Sequence, residues 1–412
     1  MPAATPLPRG PSVLSLYGVA DLLTAPGCPV CRYVTEASDR YLGWFALEGH
    51  SQPEFITTLC ASLGMCARHT RGLMSQPGAA VRLTHVYRYV LTGVGDRLAR
   101  GTVAPAPCPA CRHYEAATER ALDTLLDGLS DTAALRQCRD LGGICLPHLR
   151  AAAGRRPRPI VVSLAEIMRD TLAAWPAGHE WLAGTDHDAE RRAALRRMVP
   201  ASWSLQAGPC AICLAEAQSE RASLARVTGL ARRDAHDTGG GSALCGGHLA
   251  DAVVVSGPGQ RRALLEWQFG QIGAGLRPLA GTVLARAAHW LAPGALRYRA
   301  ADCPVCRDSG NAALQTLSSA GSAVREGWSA TRQLPALCLR HLVMLRDTDR
   351  RAGQALSRDS IAAAGELIRE LASAVERARP AGWRDAAPAP ESTAWRRAAA
   401  LLDGGVFAGL SR

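Results

Sequence analysis

Cysteine and histidine recur along the chain in short pairs whose spacing suits metal coordination. A Cys-x-x-Cys pair (CxxC) is followed, after 31 to 34 intervening residues, by a Cys-x-x-His pair (CxxH), and this order occurs four times. Three thiolates and one imidazole, delivered as two close pairs, form the ligand set of a closed tetrahedral zinc site. We therefore predict four zinc sites with these ligands: Cys28, Cys31, Cys66 and His69; Cys108, Cys111, Cys145 and His148; Cys210, Cys213, Cys245 and His248; and Cys303, Cys306, Cys338 and His341.

Two other kinds of metal chemistry compete for the same residues. Cysteine and histidine also hold iron–sulfur clusters, which would make the chain an electron-transfer protein. A catalytic zinc ion keeps one coordination position open and usually has a carboxylate base nearby. No His-Glu-x-x-His element accompanies any of the pairs. Structural zinc is the leading interpretation, iron–sulfur clusters are the alternative, and no catalytic residue is predicted.

The pairs are expected to lie in the first turns of helices. Residues three apart on a helix share a face, and Pro29, Pro109 and Pro304 follow the first cysteine of their CxxC pairs, where proline suits a helix start. Gly64 and Gly143 lie two residues before the cysteine of a CxxH pair and indicate a tight turn. Each ion is therefore expected to join two helix starts within one repeat and to close a helical hairpin at its open end.

The remaining apolar residues recur at helical intervals. Such patterns predict further helices over 81–98, 161–175, 261–276, 360–375 and 395–402. The two cysteines outside the pairs, Cys60 and Cys138, are expected to be small buried apolar residues. The expected fold is all-α, with four tandem helical-hairpin modules over 1–104, 105–200, 201–296 and 297–412, each closed by a Cys3His site.

The motifs resemble a bacterial protein family of unknown function, in which a Cys-Pro-x-Cys pair opens a charged helix and a Gly-x-Cys-x-x-His turn opens the next. The resemblance is carried by residues 28–31 with 64–69 and by 108–111 with 143–148. Residues 303–306 keep the first motif, but Ala336 replaces the glycine of the second. The third repeat departs furthest, because Ala211 replaces the proline. The resemblance implies no particular activity.

The charge of the chain is positive and carried by arginine alone. The formal net charge is +11 and no lysine occurs, which excludes a phosphate-loop lysine and a Schiff-base lysine. Each Cys3His zinc site adds one negative charge, which lowers the net charge to about +7. Arginine clusters at 155–158, 191–197, 232–233 and 350–351 make a nucleic-acid-binding regulator an alternative function. Acidic residues interrupt them, so solvated helix surface is the favoured interpretation.

The expected setting is the cytoplasm. The N-terminal residues do not resemble a secretory signal, no apolar segment is long enough for a membrane span, and a reducing compartment keeps thiols available for metal. We therefore expect a non-enzymatic zinc-binding repeat protein that acts as an interaction or regulatory scaffold. A protein partner is expected, and a membrane is not.

Overall fold

Helices form every regular element that the structure describes. The computed structural model describes residues 13–76, 79–101, 106–153, 158–174, 179–184, 210–233, 244–280, 303–326, 337–378 and 394–405. These ranges contain 16 α-helices and no strand. The all-α prediction and the presence of four Cys3His groups are confirmed.

Nine helices lie in the first part of the chain and seven in the second, counted over those ranges. The first nine are α1 (Val13–Leu22), α2 (Pro29–Leu47), α3 (Pro53–Ala61), α4 (Ala67–Met74), α5 (Ala79–Ala99), α6 (Pro109–Gly128), α7 (Thr132–Asp140), α8 (Leu146–Ala153) and α9 (Arg158–Ala174). The others are α10 (Ala211–Arg233), α11 (Gly246–Val255), α12 (Pro258–Ala280), α13 (Pro304–Arg325), α14 (Leu339–Thr348), α15 (Arg350–Ala378) and α16 (Ala394–Leu402). Short 3₁₀ helices span Gly49–Ser51 and His179–Ala183.

The predicted helices are present, with one clear extension. The segments 81–98, 261–276 and 395–402 fall within α5, α12 and α16, and 161–174 within α9, while residue 175 lies outside the described residues. The segment 360–375 is the second half of α15, which begins ten residues earlier, at Arg350. The Asp349 carboxylate accepts a hydrogen bond from the Ala352 backbone N–H (3.0 Å) and so caps this earlier start.

The chain divides into two compact units, each assembled from three separate segments. The first unit takes Met1–Ala37, Tyr114–Asp186 and Ser223–Arg307, and the second takes Ser38–His113, His187–Ala222 and Asp308–Arg412. The boundaries at 37, 113, 222 and 307 fall inside α2, α6, α10 and α13, which are the helices that follow the CxxC pairs. The compact units are thus built from non-consecutive segments. The division into four consecutive modules concerns the sequence repeats and stays a prediction.

Each unit has its own apolar core. In the first unit α6 buries one stripe, which includes Ala117, Ala121, Leu122 and Leu125, as the helical spacing of these residues predicts. In the second unit α5 packs along α15, and α3 and α16 also pack against α5. None of the described helices is both long enough and apolar enough to cross a bilayer.

Tight turns lead into the helices of the CxxH pairs, as the glycines predict. Gly64 and Gly143 have φ angles of +86° and +87°, in the region that favours glycine. A Cβ atom at Gly143 would also lie 2.7 Å from a side-chain carbon of Ile167 on α9. Backbone conformation and space therefore both require glycine at this turn.

The substitution Gly143→Ala is expected to lower the free energy of unfolding by about 2–4 kcal/mol, because it combines left-handed backbone strain with overpacking. The matched control is Gly95→Ala within α5, where a Cβ meets nothing within 4 Å. Since alanine favours helix over glycine by up to about 1 kcal/mol, the control should be neutral or stabilising. Urea unfolding followed by circular dichroism measures both changes, and equal effects would contradict the account of this turn.

Candidate metal centres

The structure brings all of the predicted ligands together in four groups, but each group combines pairs from two different repeats. In every group the ligand atoms lie within 4.8 Å of one another. Site A comprises Cys28, Cys31, Cys145 and His148, and site B comprises Cys66, His69, Cys108 and Cys111; site C comprises Cys210, Cys213, Cys338 and His341, and site D comprises Cys245, His248, Cys303 and Cys306. The expectation that each site forms within one repeat is therefore wrong.

Unequal helix lengths explain the exchange of partners. After Cys31 the chain follows α2, whose 19 residues extend about 28 Å. The helix that follows, α3, has 9 residues and covers only about 13 Å. The chain therefore reaches Cys66 too early to return to Cys28, and Cys66 meets the CxxC pair of the next repeat. In that repeat α6 has 20 residues and α7 has 9, so the same argument applies.

The exchanged pairs are nested in sequence. His69 and Cys108 of site B are 39 residues apart, inside the 120 residues that separate Cys28 and His148 of site A. In the second half of the chain, the corresponding separations are 55 residues in site D and 131 in site C. Sites A and D belong to the first unit and sites B and C to the second. Each unit therefore contains one inner and one outer site.

The distances between ligand atoms fit a single tetrahedral ion. With zinc–sulfur bonds of about 2.3 Å and zinc–nitrogen bonds of about 2.0–2.1 Å, sulfurs lie about 3.8 Å apart and sulfur and nitrogen about 3.6 Å apart. The sulfurs of Cys31 and Cys145 are separated by 3.5 Å, and those of Cys66 and Cys111 by 3.6 Å. Between Cys213 and Cys338, and between Cys245 and Cys306, the distance is 3.8 Å.

The histidine of each site presents Nδ1 to the thiols. Nδ1 of His148 lies 3.1–3.4 Å from the sulfurs of its site, and Nδ1 of His341 lies 3.3–3.4 Å from those of site C. The distances are 3.3–3.8 Å for His69 and 3.2–3.4 Å for His248. The sites therefore share one donor set of three Sγ atoms and one Nδ1 atom.

One carboxylate lies close to site C from outside the ligand set. The Glu216 carboxylate lies 3.5 Å from Nε2 of His341, the ring nitrogen that faces away from the thiols. The separation is that of an ion pair, and Nε2 of His341 makes no hydrogen bond to the described residues. Glu216 was not among the predicted site residues, although its position three residues after Cys213 places both on one helical face.

Helix starts surround the ligands and compensate their charge. Cys66, Cys245 and Cys338 are the N-cap residues of α4, α11 and α14, and none of them caps its helix with its side chain. Pro29 and Pro109 are the first residues of α2 and α6, as predicted. Three thiolates and a divalent cation would leave one negative charge, which the positive ends of two helix dipoles would stabilise. The prediction that the pairs lie at helix starts is confirmed.

The thiols also influence each other's protonation. Hydrogen bonds from Cys111 and Cys66 outweigh burial and lower the pKa of Cys108 to about 3. Burial opposes protonation of His341, but hydrogen bonds to Cys210 and Cys338 prevail and raise its pKa to about 12. In site B, the hydrogen bonds with Cys108 and Cys66 raise the pKa of Cys111. The crowded sulfurs of site B therefore favour one thiolate, at Cys108, and oppose a second one at Cys111.

Exposure distinguishes the sites and the cysteines outside them. All ligands of sites A and C are buried, whereas sites B and D contain partly exposed cysteines.

Cys60 and Cys138 belong to none of the groups formed by the described residues, and both are buried. Burial, followed by the charge on Cys28, raises the pKa of Cys138 to about 12. These two cysteines are small apolar core residues, as predicted.

Comparisons with protein-family models, curated proteins and solved structures found no match to this chain. The chain is thus assigned to a class by its own geometry: an all-α protein with four Cys3His groups that could hold metal ions. The resemblance of its motifs to a bacterial family of unknown function stays a prediction.

The exchanged pairing predicts the consequence of losing one ligand. Cys145→Ser should lower the metal content from four ions to three and leave Cys28 and Cys31 without an ion. Native mass spectrometry measures the content, and alkylation followed by peptide mapping identifies the exposed thiols. The control Cys138→Ser changes another fully buried cysteine of the same unit and should keep all four ions. Alkylation of Cys108 and Cys111 in place of Cys28 and Cys31 would contradict the pairing.

Proposed function

We propose that the chain is a non-enzymatic scaffold whose helices are held by four zinc ions and whose helical surfaces bind a protein partner. The observation that carries the proposal is the completeness of each ligand set, since three sulfurs and one nitrogen converge within 4.8 Å in every site. These atoms fill the four positions of a tetrahedral zinc ion. No position is left for a catalytic water, so the ion would act through structure.

Zinc is supported over an iron–sulfur cluster by the closeness of the sulfurs. Cysteines that ligate a cluster bind different iron atoms bridged by sulfide, so their sulfurs lie farther apart than the ligands of one ion. Across the two pairs of each site, the sulfurs approach to between 3.5 and 3.8 Å. Thiolate and imidazole are also the donors that structural zinc takes most often.

The energetic role of the ions follows from their number in each unit. Structural zinc contributes about 10–16 kcal/mol of apparent binding free energy in small modules, whereas a whole domain is typically stable by about 5–15 kcal/mol. Each compact unit contains two sites, and only 5% of the residues are aromatic. On these magnitudes the ions decide whether a unit folds.

A protein partner is supported by apolar side chains that stay exposed on described helices. Val254 and Val255 are 60% and 68% exposed at the end of α11, and Leu47 is 62% exposed at the end of α2. Helices held by metal would present such residues in fixed positions, which lowers the entropic cost of ordering side chains on association.

The arginine clusters that suggest the nucleic-acid alternative lie largely outside the described residues, at 155–157 and 191–197. A cytoplasmic location stays a prediction.

Metal analysis of protein purified without oxygen tests the cofactor. We expect four zinc ions per chain, no visible absorption, and loss of helical circular dichroism when a strong chelator removes the ions, because each ion ties two helix starts together. Iron and sulfide in the pure protein, with a visible absorption band, would contradict the zinc assignment. Full helicity after complete metal removal would contradict the structural role.

Capture experiments with metal-loaded protein test the partner. Proteins enriched by wild-type bait should be lost from bait carrying Val254→Asp and Val255→Asp, whereas Glu266→Gln on the neighbouring helix α12 should retain them, since it alters an exposed ion pair only. Quantitative mass spectrometry compares the baits after nuclease treatment. Enrichment that disappears with nuclease and falls steeply with salt would favour the nucleic-acid-binding alternative.

A further inference from the structure

Residues 394–405, here called the C-terminal strap, lie against both metal sites of the second unit. The strap consists of α16 and the three residues after it. Trp395, Ala398, Ala399 and Leu402 bury the apolar face of α16 in the core of this unit, where α16 contacts α5, α14 and α15. A Cβ atom at Gly64, in the turn before site B, would lie 3.4 Å from a side-chain carbon of Leu402. The helix therefore fixes the position of the residues that follow it.

Asp403 connects segments that belong to two different sites. Its side chain is buried and accepts hydrogen bonds from the backbone N–H groups of Ala67 (3.1 Å) and Gly405 (2.9 Å). Its Oδ2 atom also lies 3.3 Å from the Arg340 guanidinium. Ala67 directly follows Cys66 of site B, and Arg340 lies between Cys338 and His341 of site C. One carboxylate thus contacts the ligand-bearing turns of both sites.

The contact with Ala67 meets a need that metal binding creates. Cys66 is the N-cap residue of α4, but its sulfur faces the other ligands of site B and makes no capping hydrogen bond. The first N–H groups of a helix require acceptors, and a carboxylate there is favoured by the helix dipole. Asp403 supplies the acceptor from 336 residues away in sequence. Because Arg340 is largely exposed, the buried backbone hydrogen bonds dominate this contribution.

Gly404 brings the strap against the sulfurs of site C. A Cβ atom at this position would lie 2.9 Å from Cβ of Cys210, 3.0 Å from Sγ of Cys213 and 3.5 Å from Cβ of Cys338. Any side chain would displace the ligands. The next residue, Gly405, accepts a hydrogen bond from the Arg71 guanidinium of α4 (3.1 Å) through its carbonyl oxygen. Three consecutive residues therefore contact both ligand environments.

We propose that the strap couples sites B and C, with Asp403 and Gly404 as positioning residues for metal retention at both. Asp403 holds the start of α4, and through it Cys66 and His69, in register with the turn that carries Cys338. Gly404 covers the sulfurs of site C and excludes a competing ligand from them. The inference rests on the metal occupancy in the proposed function. It identifies the residues that slow the release of the ions from sites B and C.

Metal release from the full-length chain tests the coupling. Zinc-loaded wild-type protein and Asp403→Asn are mixed with an excess of a chromogenic chelator, and timed alkylation with peptide mapping shows which thiols lose their ion. Loss of an outer partner typically weakens metal binding about 10- to 100-fold. We expect Asp403→Asn to release the ions of sites B and C faster by such a factor, while sites A and D of the same molecules release at the wild-type rate.

Two controls separate this effect from general destabilisation. Asp349→Asn changes another carboxylate of the second unit, which pairs with Arg325 and caps α15 away from the ligands, and it should release metal as the wild type does. Gly404→Ala should speed release from site C most, whereas Gly365→Ala, where a Cβ meets nothing within 4 Å, should not.

The outcomes distinguish the strap from the proposed function. Release from Asp403→Asn at the wild-type rate, or equally accelerated release from all four sites, would overturn the coupling and leave the scaffold proposal intact. A wild-type protein that binds no zinc at all would overturn the proposed function and the strap inference with it.

Discussion

The convergence of two ligand pairs at helix starts, in a group that could hold one metal ion, is the constraint on which the rest of this fold depends. The two ligand pairs of a site are 39 to 131 residues apart in sequence. The helices between them pack in positions that allow the pairs to meet. Closing a loop of 120 residues costs only about 1 kcal/mol more than closing one a third as long. That difference is small compared with the apparent binding free energy of a structural zinc ion, which is about 10–16 kcal/mol. Loop length therefore does not prevent the exchange of partners.

The sequence predicts the ligands and the helices well because both depend on local patterns. Cysteine spacing, proline at helix starts and Gly64 before Cys66 all act within a few residues. The pairing is not local, because it depends on where the chain turns between α2 and α3. Pro53 is the first residue of α3, which places that turn after a long helix and before a short one. This asymmetry contradicts the expectation that each ion closes a helical hairpin within one repeat.

The outer partners of the sites could not be predicted, because they come from distant segments. Asp403 reaches α4 across 336 residues, and no pattern around Asp403 indicates an N-terminal acceptor for another helix. The sequence around Gly404 does not indicate that glycine is required there either, because a side chain would clash only when Cys213 lies beside it in the fold. Glu216 is the exception, because its spacing from Cys213 is helical. Contacts that support the sites from outside the ligand set thus require the three-dimensional structure.

The most direct test of the central claim is the partnership of the ligands in solution. Protein loaded with the NMR-active isotope of cadmium shows scalar coupling between each ion and the β-protons of its cysteines. The account predicts that the ion coupled to Cys28 and Cys31 is also coupled to Cys145, and that the ion coupled to Cys108 and Cys111 is also coupled to Cys66. An ion coupled to both Cys28 and Cys66 would contradict it.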